Sequence, residues 1–271
     1  NKNHQKNFHK INLLNLEELN EVFYHNKVNC IIHLASEIFD NDKNVYSHNL
    51  LASKNLFLMA KKYKIKNIIF TSTFSIYEKN YSKPILETQP PSAKNSYGRS
   101  KYEIEKLLIR SKIKNFTILR VPIVVGKSRS HRIGILFELI RNNIPLILIN
   151  DGNNRIQFTS VEYLTRVIRK CIKLKNKNIF NIGTKKSYTF KENLSYLIEK
   201  SKSNSKIIGI NKTFGNLILN VLIFLKLIDI NFYHKVLLTK NITLNTKKIQ
   251  KRLKIKSDNS SKEILLENYN Y

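Results

Sequence analysis

Short apolar runs alternate with helical segments through most of this 271-residue chain. Runs rich in β-branched and aromatic residues occur at residues 30–35, 66–70, 116–122, 144–149 and 178–183. Runs of this length and composition are typical of buried strands, and the segments between them are amphipathic. Because strands that alternate with helices form parallel sheets covered on both faces, the pattern predicts an α/β fold with a doubly wound parallel sheet.

One segment combines such a strand with side chains suited to proton transfer. The apolar residues 68–70 end in three hydroxyl residues, the last of them Thr73, and a helix is predicted to carry Tyr97 and Lys101. Residues four apart share one face of a helix, so the phenol and the ammonium are expected to be neighbours. A nearby ammonium lowers the pKa of a phenol, which can then exchange a proton with a substrate. The spacing alone leaves open an ordinary solvated helix face.

The order of these motifs resembles the extended short-chain dehydrogenase/reductase family, the NAD-dependent epimerases, dehydratases and reductases of nucleotide sugars. In that family the third residue of the hydroxyl triplet is catalytic, which implies catalysis by Thr73, Tyr97 and Lys101. The resemblance implies NAD or NADP as cofactor, contacted by Ser72, Tyr97 and Lys101, with Lys101 on the nicotinamide ribose. It also implies a nucleotide-sugar substrate, whose reacting oxygen Thr73 would hold.

Further segments carry the same resemblance to the family's cofactor site. Residues 30–35 contain a His-Leu-Ala run, which implies that Ala35 lines the cofactor groove. Asn49 and Ser53 match a helical motif whose asparagine faces the cofactor, although an exposed asparagine at a helix start remains the alternative. Pro122 ends a strand that lies near the nicotinamide in the family.

Two other segments concern the substrate. The stretch from Gly152 to Phe158 resembles one whose arginine meets the substrate diphosphate, which implies this role for Arg155; a planar guanidinium can bind two oxygens at once. Phe74 and Ser75 stand where the 4,6-dehydratase branch has an acidic pair. The resemblance therefore implies epimerisation or simple oxidation and reduction, and argues against dehydration.

A glycine-rich turn is missing upstream. The family opens with a strand, a G-x-x-G-x-x-G turn and a helix, whose glycines let a pyrophosphate approach the helix N-terminus. This chain has seven glycines, and the first is Gly98. We therefore expect the first βαβ unit to be absent. Either the chain is a fragment of a longer enzyme, or it is a non-catalytic remnant that lacks this unit and binds a sugar nucleotide or a partner protein. The start at Asn1 rather than Met favours the fragment.

The resemblance implies two domains. We predict a truncated NAD(P)-binding Rossmann-like domain at residues 1–183, with residues 132–150 contributing to the substrate lobe, and a small C-terminal substrate-binding lobe at residues 184–271. Within the lobe, Thr189 and Glu192 have the spacing of a capping box. Residues 214–230 are strongly apolar but too few to span a bilayer, so they predict a packed helix, with a peripheral membrane contact as the alternative.

The composition limits partners and location. The net charge is +29, but the lysines are scattered among Asn and Ile without a recognition motif, so no nucleic-acid partner is predicted. Cys30 and Cys171 lie in apolar settings without metal-ligand spacing, which predicts reduced core residues, no metal site and a cytoplasmic protein. The family resemblance implies a homodimer.

Overall fold

The computed structural model describes residues 8–38, 44–126, 131–211, 213–215, 217 and 240–270. Its strands in chain order are β1 (Ile31–His33), β2 (Asn67–Thr73), β3 (Asn115–Val121), β4 (Ile123–Val125), β5 (Leu146–Ile149), β6 (Arg155–Ile156), β7 (Phe158–Ser160), β8 (Lys177–Asn181), β9 (Tyr188–Thr189) and β10 (Ile207–Ile210). Its helices are α1 (Leu16–His25), α2 (Val45–Lys62), α3 (Ser96–Arg110), α4 (His131–Arg141), α5 (Val161–Cys171), α6 (Phe190–Ser201), α7 (Lys247–Leu253) and α8 (Ser261–Tyr269).

The central sheet has four parallel strands in the order β1-β2-β3-β8. The strand predicted at residues 30–35 is shorter, since only β1 is paired there, and β2 runs on through the hydroxyl triplet until Thr73 pairs with Val121. Threonine is β-branched and suits an extended chain, so the triplet continues the strand instead of leaving it. Among the described residues β1 pairs with β2 alone and forms one edge of the sheet.

Helices cover both faces of this sheet. On one face α1, α2 and α3 bury their apolar sides against Phe70 and Ile118. On the other face α5 and α7 pack on Leu119 and Phe180. Burial of this kind stabilises a protein by roughly 25 cal/mol per Å² of apolar surface removed from water, and neither face could stay uncovered. The predicted doubly wound parallel α/β fold is confirmed.

A second hydrophobic core joins α4, α6 and α8. Phe137 and Leu148 meet Leu194 and Ile264 there, and β5 pairs in parallel with β10. The core draws on residues both before and after position 183. The domain limits given above stay predictions.

Several smaller predictions can be compared with this structure. Thr189 and Glu192 form the predicted capping box at the start of α6. Both Cys30 and Cys171 are free thiols, and Cys171 is buried. The helix predicted at residues 214–230 lies outside the described residues except for positions 214, 215 and 217. Among the described segments, no helix combines the length and the apolarity that crossing a bilayer requires.

Candidate active site

The candidate site lies at the carboxyl edge of the central sheet. Because β1, β2 and β3 are parallel, their carboxyl ends point to the same edge, which is where ligands bind in open α/β sheets. Thr73 ends β2, Pro122 directly follows β3, and Ala35 lies just beyond β1. Ala35 is exposed and Pro122 is buried. The structure therefore places these three predicted site residues along one edge.

The start of α3 lies directly on the turn that follows Thr73. Asn95 is the N-cap of α3, and its side-chain oxygen accepts a hydrogen bond of 2.6 Å from Gly98 N. A Cβ on Gly98 would lie 2.4 Å from Ser75 O, closer than any side chain tolerates. Only glycine lets the helix approach this backbone so closely. The contact brings Tyr97, which is half-buried in the first turn, to the end of β2.

Lys101 is buried between β2 and Tyr97. Its side chain is 2% exposed, and its ammonium donates a hydrogen bond of 3.0 Å to Thr71 O. The same Nζ lies 4.8 Å from the centroid of the Phe70 ring and 5.9 Å from that of Tyr97. An ammonium over an aromatic face is attracted by the ring. The structure thus brings Lys101 and Tyr97 together at the end of the strand that carries Thr73.

The Thr73 hydroxyl is held in place by a short 3-10 turn, Phe74–Ile76. Thr73 Oγ1 accepts a hydrogen bond of 3.1 Å from Ser75 N and donates one of 3.0 Å to Ser75 Oγ. Such a side-chain cap satisfies a backbone donor that the turn cannot pair itself. Thr73 therefore has a fixed hydroxyl at the strand end, buried but beside the start of α3.

A buried ion pair fixes the middle of α3 to β3. Arg120 on β3 donates hydrogen bonds of 3.1 Å and 2.7 Å to the two carboxylate oxygens of Glu105 on α3. Arg120 also donates to the hydroxyl of Tyr77, and at 2.9 Å to Glu87 O. Burial alone would lower the pKa of Arg120, but the hydrogen bonds and charge of Glu105 outweigh it, and the pKa is raised. This network holds α3 at a fixed height on the sheet.

Asn49 connects the loop after β1 to α3. Its side-chain oxygen accepts from Glu37 N at 2.9 Å, while its amide nitrogen donates to Glu37 O at 2.9 Å and to Ser100 Oγ at 3.3 Å. Asn49 itself is buried. The amide predicted to face the cofactor is thus engaged within the protein, where it shapes the loop beside Ala35.

His33, at the end of β1, is buried behind this loop. Its Nε2 lies 2.9 Å from Ser53 Oγ, and the Ser53 hydroxyl donates to Asn49 O at 2.8 Å. Since the serine proton is used in that bond, Ser53 Oγ accepts from His33 Nε2–H. Burial, reinforced by the charge of Lys101, lowers the pKa of His33 to about 3. His33 is therefore neutral near pH 7.

Ser72, the residue before the end of β2, lies on the face of the sheet that α3 covers. It pairs with Arg120, and residues paired across neighbouring strands face the same side of the sheet. Its hydroxyl is buried without a hydrogen-bond partner among the described residues. Ser72 therefore lies on the same face of the sheet as the helix that carries Tyr97 and Lys101, and its contact with the cofactor stays a prediction.

Arg155 lies across a small recess from the end of β2. The recess is lined by Phe74, Arg155, Ile156, Lys240 and Ile242. The exposed Arg155 side chain donates a hydrogen bond of 2.8 Å to Ser187 O, and its backbone N donates to Asn241 Oδ1 at 2.7 Å. Phe74 directly follows Thr73, so the predicted phosphate-binding arginine and the predicted catalytic threonine approach the same recess.

Residues 241–245, called the strap here, connect two segments of the chain beside this recess. On one side Ile85 N donates to Thr243 O, and Asn245 N donates to Ile85 O, both at 2.8 Å. On the other side Leu244 N donates to Gln157 Oε1 at 2.8 Å. The strap therefore fastens the loop that precedes α3 to the segment that carries Arg155.

The residues that hold these side chains in place were not among those predicted from the sequence. Arg120 interrupts the apolar run of a strand, and a charge inside such a run indicates a buried partner. Glu105 lies between Glu103 and Lys106 on its helix, where charged residues are ordinary and carry no such signal. Glu78 and Asn95 lie in a loop, where polar residues are likewise ordinary and carry no signal.

Comparisons with known proteins agree with this architecture. A family model described as the NAD dependent epimerase/dehydratase family matches residues 1–183. UDP-glucose 4-epimerase of Caenorhabditis elegans is 33% identical over 148 residues, which are 51% of this chain and 42% of that protein. The chain spans about half the length of the curated relatives it matches.

Solved structures of low sequence identity share the fold. UDP-glucose 4-epimerase of Thermotoga maritima, crystallised with UDP-glucose, has a TM-score of 0.80 at 20% identity and covers 97% of this chain and 83% of its own. The enzyme WbmG of Bordetella bronchiseptica, crystallised with NAD and UDP, has a TM-score of 0.77 at 15% identity and covers 95% and 77%. At these identities the likeness concerns the fold alone.

Proposed function

This chain belongs to the NAD-dependent epimerase/dehydratase family, and we propose that the protein that carries it is an NAD(P)-dependent epimerase or reductase/dehydrogenase that acts on a nucleotide sugar. The observation that carries the proposal is the buried Lys101 ammonium, held between Thr71 O and the Tyr97 ring at the carboxyl end of β2. A lysine is costly to bury, so its retention there points to a chemical role.

In the proposed reaction Tyr97 is the acid/base. Its phenol exchanges a proton with the sugar hydroxyl that is oxidised or the carbonyl that is reduced. Lys101 favours the phenolate by its charge. When the sugar binds, the Thr73 hydroxyl proton would turn from Ser75 Oγ to the same sugar oxygen, while Ser75 N keeps Thr73 Oγ1 in place.

The residues present fit the nicotinamide half of the cofactor. NAD or NADP, when bound, would accept a hydride from the sugar carbon and return it. Lys101 and Tyr97 would hold the ribose, with Ala35 and Pro122 along the edge, while Asn49 would act by shaping the loop beside Ala35. We also retain Ser72 as a proposed cofactor contact, although its hydroxyl is buried, which supports this role less than the roles of the other residues. No G-x-x-G-x-x-G turn occurs in the sequence, so pyrophosphate contacts are not assigned.

Arg155 is the proposed contact for the substrate phosphates. Its exposed guanidinium and the neighbouring Lys240 bring two positive charges to the recess beside Phe74. Phe74 and Ser75 offer no acid or base for eliminating water, which favours epimerisation or oxidation and reduction.

We also propose a division into domains at residues 1–183 and 184–271, a homodimer and a cytoplasmic location. Analytical sedimentation tests the dimer.

The proposal is tested by replacing Tyr97 in the protein that carries this chain. With NAD and UDP-glucose supplied, we expect Tyr97→Phe to lower kcat by about 10²–10⁴-fold, the usual contribution of a general acid/base. Tyr102→Phe, on the same helix, is the matched control and should retain turnover. Equal turnover by Tyr97→Phe and wild type would refute the assignment.

The second candidate is a non-catalytic protein that binds a sugar nucleotide or a partner. The missing glycine turn favours it, since a cofactor pyrophosphate needs such a turn. NADH binding by this chain, measured by calorimetry, separates the two. Binding that Lys101→Met weakens supports the enzyme, and UDP-sugar binding without NADH binding supports the alternative.

A further inference from the structure

A short hydrogen-bonded circuit links the strand that ends at Thr73 to the helix that begins before Tyr97. After the 3-10 turn, Ile76 O accepts a hydrogen bond of 2.7 Å from Ser92 N. Two residues later, Glu78 N donates to Ser92 Oγ at 3.0 Å. The chain leaving the turn and the chain entering α3 are therefore held side by side.

Glu78 is the buried carboxylate in this circuit. It is 6% exposed, and its Oε1 accepts a hydrogen bond of 2.8 Å from Asn95 N. The same oxygen accepts a very short hydrogen bond from Asn95 Nδ2. Its Oε2 is buried without a partner among the described residues. A buried carboxylate that keeps one oxygen unsatisfied is expensive, so another benefit must offset that cost.

The acceptor on Glu78 decides which way the Asn95 amide points. A carboxamide has one accepting oxygen and one donating nitrogen, and only one orientation serves a given set of partners. Since Glu78 takes the nitrogen, the oxygen of Asn95 is turned to Gly98 N, from which it accepts at 2.6 Å. Glu78 thereby fixes the cap of α3, and Tyr97 lies between the cap and Gly98.

We propose that Glu78 is a positioning residue that sets the Tyr97 phenol relative to the Thr73 hydroxyl, acting through Asn95. The proposal rests on the function proposed above, since it concerns the same acid/base pair. Glu78 touches neither reacting group and works by holding the first turn of α3. Displacing a catalytic group by about 1 Å can cost about 100-fold in rate, so a loosened first turn has a measurable effect.

The first test compares two replacements of Glu78. Glu78→Ala removes the acceptor, and we expect kcat to fall by about 10- to 100-fold with KM for the nucleotide sugar unchanged, because Arg155 is untouched. Glu78→Gln keeps one accepting oxygen and should restore most of kcat. Glu103→Ala, an acidic residue on α3 outside the circuit, is the matched control. Equal loss in the Gln and Ala variants would mean that charge, not orientation, matters, and would overturn the proposal.

The second test does not need turnover. In hydrogen exchange, the Gly98 amide should lose protection in Glu78→Ala and keep it in Glu78→Gln, while the amide of Leu108 further along α3 stays protected in both. If wild type has no activity, the proposed function fails while this exchange still decides the role of Glu78. Unchanged Gly98 protection in a folded Glu78→Ala variant would overturn the proposal.

A third variant serves if Glu78→Ala does not fold. Asn95→Ala removes both the oxygen that caps α3 and the amide that Glu78 orients. We expect it to lower kcat as Glu78→Ala would and to speed exchange at Gly98. Wild-type values for both quantities would contradict the proposed link through Asn95.

Discussion

Glu105 and Arg120 form a bidentate ion pair in the core, and their side chains are 0% and 4% exposed, respectively. The pair joins the helix that carries Tyr97 and Lys101 to the neighbouring strand. Its bonds to Tyr77 and Glu87 O extend it to the loop before that helix. The relationship has energetic consequences, because a buried charge without its partner is much costlier than the pair.

Glu105→Gln should lower the free energy of unfolding by about 3–5 kcal/mol, since it leaves the Arg120 charge uncompensated in the core. The double variant Glu105→Leu/Arg120→Met should lose less than the single one, because it removes both charges. Urea unfolding measures both. Glu103→Gln, half-buried beside Lys106, is the control and should change stability by about 1 kcal/mol or less. A single-variant loss as small as the control's would contradict the burial of the pair.

Acid should destabilise the protein through His33. Its pKa is about 3 in the folded protein and near 6.5 when unfolded, so the unfolded chain binds the extra proton between these values. The stability that neutral His33 provides is complete above about pH 6.5 and is lost as the pH falls toward 3, by at most about 1.4 kcal/mol per pH unit.

The variant His33→Phe isolates this effect from the carboxylates. The free energies of unfolding of wild type and variant are compared between pH 7 and pH 5. As the pH falls, wild type should lose stability relative to the variant, because only wild type contains His33. Parallel curves across this range would show that His33 titrates normally in the folded protein.

Gly98→Ala should disturb the site more than its small size suggests. The added Cβ would lie 2.4 Å from Ser75 O, a backbone atom that cannot turn aside. Overpacking of this kind costs about 1–3 kcal/mol, and the shift of α3 moves Tyr97 away from Thr73, so kcat should fall as well. Arg110→Ala, exposed at the other end of the helix, should leave both thermal stability and kcat near wild type. A stable, active Gly98→Ala protein would mean that the helix lies further from the turn.

Thiol labelling should distinguish the two cysteines. Burial raises the pKa of Cys171 to about 12 and raises that of the partly buried Cys30 as well. Because the thiolate is the reactive form and Cys171 is inaccessible, an alkylating reagent at pH 8 should modify Cys30 alone in the native protein and both residues in denaturant. Mass spectrometry of the labelled peptides gives the answer. Labelling of Cys171 under native conditions would place it outside the core.

The sheet and the proximity of Tyr97 to Lys101 could be predicted from the sequence because both depend on local patterns. Apolar runs identified β2 and β3, and the spacing of Tyr97 and Lys101 put them on one helix face. These features need only neighbours along the chain.

The residues that position the site could not be predicted in this way. Asn95 selects its orientation because Glu78 is near in space, and the strap reaches Gln157 from a distant part of the chain. Ser72 is named by the motif, but the sequence does not show that the pleat of β2 turns its side chain beneath α3. Such outcomes depend on tertiary contacts that no local pattern contains.

The strap at residues 241–245 makes the site a composite of two cooperative units. Thr73, Tyr97 and Lys101 belong to one stretch of the chain, whereas Arg155 lies further along it and lines one recess with Phe74 and with Ile242 of the strap. Hydrogen bonds to Ile85 and Gln157 hold the strap in place. Long-range closures carry the larger entropic cost and open first in sub-global fluctuations. Detachment of the strap would thus separate the proposed phosphate contact, Arg155, from the proposed proton-transfer residues, which would stay assembled. On heating, the chain would therefore lose substrate binding at a lower temperature than the arrangement of its proposed proton-transfer residues.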